Sequence, residues 1–76
     1  MPMPPTKLVD MANQVGTFFA TQHRIDAPAA VADHLRKFWD PRMRSRITSY
    51  LKDGGAGFDP LVREAVQLLV REDRAD

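Results

Sequence analysis

Apolar residues recur every three or four positions along most of the chain, which is the spacing that places them on one face of an α-helix. No segment alternates apolar and polar residues for long enough to predict a strand. The pattern therefore predicts an all-α protein, a small bundle of about four helices. We expect a flexible lead at residues 1–6, one helical domain at residues 7–70, and a charged tail at residues 71–76 that frays.

The first helix is predicted from about Lys7 to His23, with Thr6 as its N-cap after two prolines. Gly16 lies in its middle and costs about 1 kcal/mol relative to alanine. Two explanations stay open, a close contact with another helix and a glycine that is simply tolerated. The inner face is expected to hold Leu8, Met11, Ala12, Val15, Phe18 and Phe19, and the outer face Asp10, Asn13, Gln14, Thr17 and Thr21.

Three further helices are predicted at about residues 27–39, 41–53 and 60–70. Each begins with an aspartate that can cap the helix and a proline that suits its first turn. The expected N-caps are Asp26, Asp40 and Asp59. A glycine cluster at residues 54–57 is expected to form the turn that ends the third helix. The inner residues are expected to be Val31, Leu35, Phe38, Met43, Ile47, Tyr50 and Leu51, with Ala32 and Trp39 beside them.

The fourth helix has more apolar surface than one core face requires. Its apolar side chains sweep an arc of roughly 200°, against the ~100° or more that a surface helix buries. Either this helix lies in the middle of the bundle, or its outer face, with Val66 and Val70, meets another protein.

The amino-acid composition limits the size of the core and the kinds of chemical site that this chain can form. A chain of 76 residues forms one small domain, and such a core supplies only about 3–5 kcal/mol of stability without help. The absence of cysteine excludes disulfides and thiolate metal sites in this chain. His23 and His34 fall on different predicted helices without a clustered third ligand, and His34 is expected to be a packed or half-exposed boundary residue. No catalytic, cofactor-binding or metal residue is assigned.

Charge is distributed unevenly. The total is +1, but residues 36–46 carry five basic residues against one acidic residue, so the corner between helices two and three is positive. Tryptophan and arginine are enriched at binding hot spots. We therefore treat this corner as a candidate partner-binding surface, although burial of the tryptophan with arginines lying over the seam remains an equal alternative. The candidate residues are Arg36, Trp39, Arg42, Arg44, Arg46, Val66 and Val70.

Residues 31–43, which read VADHLRKFWDPRM, resemble the delta subunit of soluble, NAD-dependent molybdenum formate dehydrogenases. The segments MANQ at residues 11–14, GGAG at residues 54–57 and DPLV at residues 59–62 are similar to the same family. The resemblance covers roughly residues 7–69. It implies a non-catalytic accessory subunit of a cytoplasmic complex that oxidises formate to carbon dioxide and reduces NAD.

The resemblance also implies a partner and a set of cofactors. The partner is the large catalytic (alpha) subunit, which holds bis-molybdopterin guanine dinucleotide and iron–sulfur clusters, while other subunits hold FMN and the NAD site. This chain itself is expected to bind none of them. It would dock on the catalytic subunit and support its assembly, stability or cofactor retention.

Two alternative functions remain open at this stage. One is a transient cofactor-insertion chaperone that leaves the catalytic subunit afterwards, with its arginines attracting the phosphates of the cofactor. Nucleic-acid binding is the weaker alternative, because the net charge is near zero and no aromatic residues are interleaved along the basic stripe. A cytoplasmic location without membrane contact is expected, since no run of 18 apolar residues occurs and residues 1–6 lack the features of a secretory signal.

Overall fold

A computed structural model describes residues 4–22 and 26–73. The described chain forms four helices, α1 (Pro5–Ala20), α2 (Ala27–Phe38), α3 (Pro41–Lys52) and α4 (Pro60–Asp73), and no strand. The predicted all-α fold with four helices is confirmed. No helix in these two described ranges is long and apolar enough to cross a membrane.

Helix α1 begins two residues before its predicted start. Pro4 is the N-cap in an extended conformation, and Pro5 occupies the first helical position. The Pro4 carbonyl accepts a hydrogen bond from the Lys7 backbone N–H at 3.0 Å. Thr6 already lies within the helix, so the prediction of Thr6 as N-cap is wrong, because the fixed φ of Pro5 is suited to the first turn.

Helix α1 also ends earlier than predicted. It stops at Ala20, where the Thr21 hydroxyl donates to the Phe18 carbonyl at 2.8 Å and the Gln22 backbone N–H donates to the Phe19 carbonyl at 3.0 Å. These short-range bonds satisfy carbonyls that the helix leaves free at its end. His23, the predicted end, lies outside the described residues.

The aspartate caps of α2 and α3 are confirmed. A carboxylate oxygen of Asp26 accepts from the Ala29 N–H at 3.2 Å, and one of Asp40 accepts from the Met43 N–H at 2.9 Å. Each bond satisfies a donor that the first helical turn leaves unpaired. The Asp40 cap lies at the sharp corner where α2 ends and α3 begins, and the Asp26 cap lies at the opposite end of α2.

The glycine cluster forms the predicted turn between α3 and α4. Gly54, Gly55 and Gly57 all have positive φ angles. The Gly55 N–H donates to the Tyr50 carbonyl, and Arg63 donates to the carbonyls of Gly54 and Gly55 at 3.0 and 2.8 Å. This turn directs α4 back across the other helices.

Asn13 fastens the turn to α1. Its amide nitrogen donates to the Gly57 carbonyl at 3.0 Å, and its amide oxygen accepts from the Asp59 N–H at 3.0 Å. Asn13, which the sequence places on the outer face of α1, is half-buried against this turn. Both partners are at least 44 residues away in the sequence, so helical periodicity carries no information about them.

Gly16 marks a close contact between α1 and α4. A Cβ atom at position 16 would lie only 2.4 Å from Cγ2 of Val62. Of the two explanations left open by the sequence, the structure supports close helix packing.

Helix α4 lies against all three of the other helices. It extends to Asp73, three residues beyond the predicted end at Val70. The Glu72 carboxylate bonds to Nε of Arg36 on α2 at 2.9 Å, which holds part of the predicted tail in the helix. The core is formed by Leu8, Ala12, Val31, Ala32, Leu35, Trp39, Ile47, Val62, Ala65, Val66 and Leu69.

Candidate partner-docking surface

The apolar surplus of α4 is covered mainly by the chain itself. Val66 is fully buried and Val70 is half-buried. The placement of Val66 on an outer face is therefore wrong, because α4 lies in the middle of the bundle rather than at its edge. Partner binding through Val70 stays a prediction.

Trp39 is also part of the core. It follows the last residue of α2, its backbone N–H donates to the Leu35 carbonyl at 3.0 Å, and it is only 6% exposed. Of the two alternatives that the sequence left open for Trp39, the structure supports burial, since its side chain packs in the core cluster.

Arg36 and Arg44 are engaged within the fold. Arg36 bonds to Asp33 at 3.1 Å and to Glu72 at 2.9 Å. Arg44 donates to the backbone carbonyls of Arg36, at 3.1 Å, and of Trp39. Arg44 therefore satisfies carbonyl groups at the C-terminal end of α2, which have no partner within that helix. These contacts give both arginines a structural role in the corner.

The remaining candidate arginines are on the surface. Arg42 is exposed in the first turn of α3 and makes no hydrogen bond or ion pair with the residues that the structure describes. Arg46 is exposed one turn further along α3. Lys37, beside them on α2, pairs with Asp33 at 3.0 Å. The corner therefore keeps a positive surface even though part of its charge is neutralised internally.

The largest apolar exposure lies elsewhere, on α1 and α2. Phe18 is 61% exposed and Phe38 is 72% exposed. Both were predicted to face inward, and both predictions are wrong. Next to them is an open groove of about 380 Å³. It is lined by Met11, Gln14, Val15, Phe18, Phe19, His34 and Trp39.

Aromatic rings connect the two helices across this groove. The ring centroids of Phe18 and Phe19 are 5.1 Å apart, those of Phe19 and His34 are 6.2 Å apart, and those of His34 and Phe38 are 4.8 Å apart. We call these four residues the aromatic row. The half-buried position of His34 within the row confirms the prediction that it is a boundary residue.

The sequence contained a signal for this surface. Phe18 and Phe19 are adjacent on α1, and neighbouring residues on a helix point about 100° apart. Phe38 and Trp39 are also adjacent, but Trp39 has already left the helix in an extended conformation. The two members of such a pair cannot both point to the centre of a small core. In each pair one ring packs inward and the other is exposed.

A second cavity lies behind the basic corner. It has a volume of about 410 Å³ and is lined by Arg36, Arg44, Thr48, Leu69 and Glu72. The Thr48 hydroxyl donates to the Ser45 carbonyl at 3.0 Å. The cavity thus combines two guanidinium groups, a hydroxyl and one carboxylate, a set that suits a small anion only if Glu72 moves away from Arg36.

No group of three or more His, Asp or Glu side chains in residues 4–22 and 26–72 is placed to hold a metal ion. Buried side-chain nitrogen and oxygen atoms in the same described part of the chain all have hydrogen-bond partners. The features that stand out for recognition are therefore the apolar groove, the aromatic row and the neighbouring positive corner.

Most of this chain matches a known protein family. No curated protein and no solved structure matches this chain. Residues 7–66 match the family of the NADH-dependent formate dehydrogenase delta subunit FdsD. The matched range includes most of α1, all of α2 and α3, the Asn13 contacts with the glycine turn, and the first half of α4. The chain belongs to the FdsD family of formate dehydrogenase delta subunits.

Proposed function

We propose that this chain is a non-catalytic accessory subunit of a cytoplasmic, NAD-dependent formate dehydrogenase, docked on the large catalytic subunit. The family match over residues 7–66 carries the proposal, because the family is that of a subunit of this enzyme. Exposure of Phe18 and Phe38 supports a docking role, since large apolar side chains grouped at a groove are typical of protein interaction sites.

The proposed role is to support assembly, stability or cofactor retention in the catalytic subunit. Bis-molybdopterin guanine dinucleotide, iron–sulfur clusters, FMN and NAD would be bound by the other subunits. A small helical domain can act in this way because binding only the folded, loaded state of a partner shifts the partner's equilibrium toward that state.

The test compares the enzyme purified from cells with and without this chain. The parent complex is expected to contain the chain in a one-to-one ratio with the catalytic subunit, by native mass spectrometry. Without the chain, we expect less assembled enzyme, with a lower molybdenum and iron content and less formate-dependent NAD reduction. An enzyme that is equally active and equally loaded without the chain would refute the proposal.

A transient cofactor-insertion chaperone is the second candidate. The cavity beside Arg36, Arg44 and Thr48 favours it, because guanidinium and hydroxyl groups bind phosphate oxygens well. The ion pair between Arg36 and Glu72 opposes it, since that carboxylate occupies one of the two arginines. Stoichiometry separates the two candidates: a chaperone is found in the immature enzyme and is substoichiometric in the active one.

A further inference from the structure

We propose that the cavity behind the basic corner binds a phosphate group, and that the phosphate takes the place of the Glu72 carboxylate at Arg36. This inference goes beyond the proposed function and does not depend on which subunit the chain docks on. Three features support it: the room in the cavity, the bonds that orient its two arginines, and the weak position of Glu72 at the end of α4.

The cavity has room for a phosphate group together with part of the molecule that carries it. About 410 Å³ is open while Glu72 is bonded to Arg36, whereas one water molecule takes up about 30 Å³ in the liquid. Thr48, which is 5% exposed, and the buried Leu69 form part of the wall. Ions along this wall are partly removed from water, so opposite charges attract each other more strongly there.

Arg44 is held at the cavity by backbone groups. Its Nη1 donates to the carbonyl of Arg36 at 3.1 Å and to the carbonyl of Trp39. These bonds cover carbonyls at the C-terminal end of α2, which carries a partial negative charge. A guanidinium group has five N–H donors, and both bonds come from one nitrogen. Within residues 4–22 and 26–72, no carboxylate pairs with Arg44, so its positive charge is available to an anion in the cavity.

Arg36 is oriented by a second carboxylate and stays oriented without Glu72. Its Nη1 bonds to Asp33 at 3.1 Å, while its Nε bonds to Glu72 at 2.9 Å. Asp33 is shared with Lys37, at 3.0 Å. Together with Arg44, these side chains carry a net charge of +1, from three basic and two acidic residues. The net charge becomes +2 when Glu72 turns away, which favours an anion in its place.

Glu72 is held weakly. It is the next-to-last residue of α4, where the partial negative charge of the helix end disfavours an anion. The side chains of Glu72 and Arg36 are 49% and 40% exposed, and exposed ion pairs contribute little to stability. A phosphate has more oxygens and more negative charge than a carboxylate, so it can bond to both guanidinium groups at once. Phosphate therefore competes with Glu72 for Arg36.

Titration of the full chain with inorganic phosphate tests the proposal. Neutral samples receive sodium phosphate or sodium chloride to the same ionic strength, and the backbone amide and arginine Nε–H signals are followed by NMR. We expect saturable shifts of the Arg36 and Arg44 signals with phosphate and not with chloride. The Glu72 amide should shift toward its value in an unfolded chain, because the last turn of α4 loses its bond to α2.

Two variants with matched controls test the exchange. Glu72→Gln should bind inorganic phosphate about tenfold more tightly than the parent, because the competing charge is removed. Arg36→Gln should bind it about tenfold more weakly. The controls are Glu64→Gln, exposed on the same helix, and Lys37→Gln, next to Arg36; they make the same changes in charge. Each control should alter the affinity by less than about threefold, since exposed charges further away are screened.

Three results would overturn the proposal. They are the absence of saturable shifts with phosphate, shifts that saturate without movement of the Glu72 amide, and equal affinities of Glu72→Gln and Glu64→Gln. Circular dichroism checks that each variant is helical, and Glu72→Gln decides the question if Arg36→Gln does not fold. The proposed function is tested separately, by the composition and activity of the purified enzyme, so the two can fail independently.

Discussion

Substitution of Gly16 by alanine should destabilise this protein, although alanine is the better helix former. The helical preference alone would stabilise α1 by about 1 kcal/mol. The new Cβ, however, would lie 2.4 Å from Cγ2 of Val62, a fully buried, β-branched side chain with few alternative rotamers. Overpacking of this kind costs about 1–3 kcal/mol. The free energy of unfolding should therefore fall by roughly 0–2 kcal/mol.

The change in the free energy of unfolding is measured by thermal and urea unfolding of the full chain, with circular dichroism as the signal. A loss of 1 kcal/mol lowers the Tm of a domain of this size by about 4–8 °C. In the double variant Gly16→Ala, Val62→Ala the clash is removed, so the two changes should cost less together than the sum of their separate effects. Thr17→Ala, on the exposed side of the same turn, is the control. A Gly16→Ala variant with a raised Tm would show that α1 and α4 are not in close contact.

Three further predictions concern stability. Asn13→Ala should remove two hydrogen bonds to the turn and so lower the free energy of unfolding by about 1–3 kcal/mol, seen as a lower urea midpoint. An unchanged midpoint would argue against those bonds. Asp40→Ala should cost about 1 kcal/mol in thermal unfolding through loss of the α3 cap, and Asp40→Asn, which keeps an acceptor, should cost only part of this. Val66→Ala should lower the free energy of unfolding by about 2 kcal/mol, and Val70→Ala should lower it clearly less because Val70 is only half-buried. Equal losses in the two variants would contradict the central position of α4.

The features that could be predicted from the sequence are those determined by neighbouring residues. Asp26 and Asp40 cap the helices as expected because the cap bond joins residues three apart. The turn at residues 54–57 was predicted because glycine readily adopts positive φ. Thr6 failed as a cap because two start signals overlap there, and the helix begins at Pro5, whose fixed φ suits the first helical position.

The docking surface was harder to predict because burial depends on which helix lies opposite. Phe38 and Val66 both occupy apolar positions of a helical pattern, yet one is 72% exposed and the other is fully buried. Periodicity identifies an apolar face but not how much of that face a neighbour covers. In a bundle this small, the central helix is covered on most sides, while α1 and α2 leave part of their apolar faces open between them.

The central position of α4 has a consequence for biosynthesis. Residues 60–73 leave the ribosome after the other three helices, yet they form the layer on which those helices pack. At a translation rate of 5–20 residues per second, this segment takes roughly 1–3 s to make. During that interval the nascent chain has no complete hydrophobic interior, so we expect it to become resistant to proteases only when the final segment emerges.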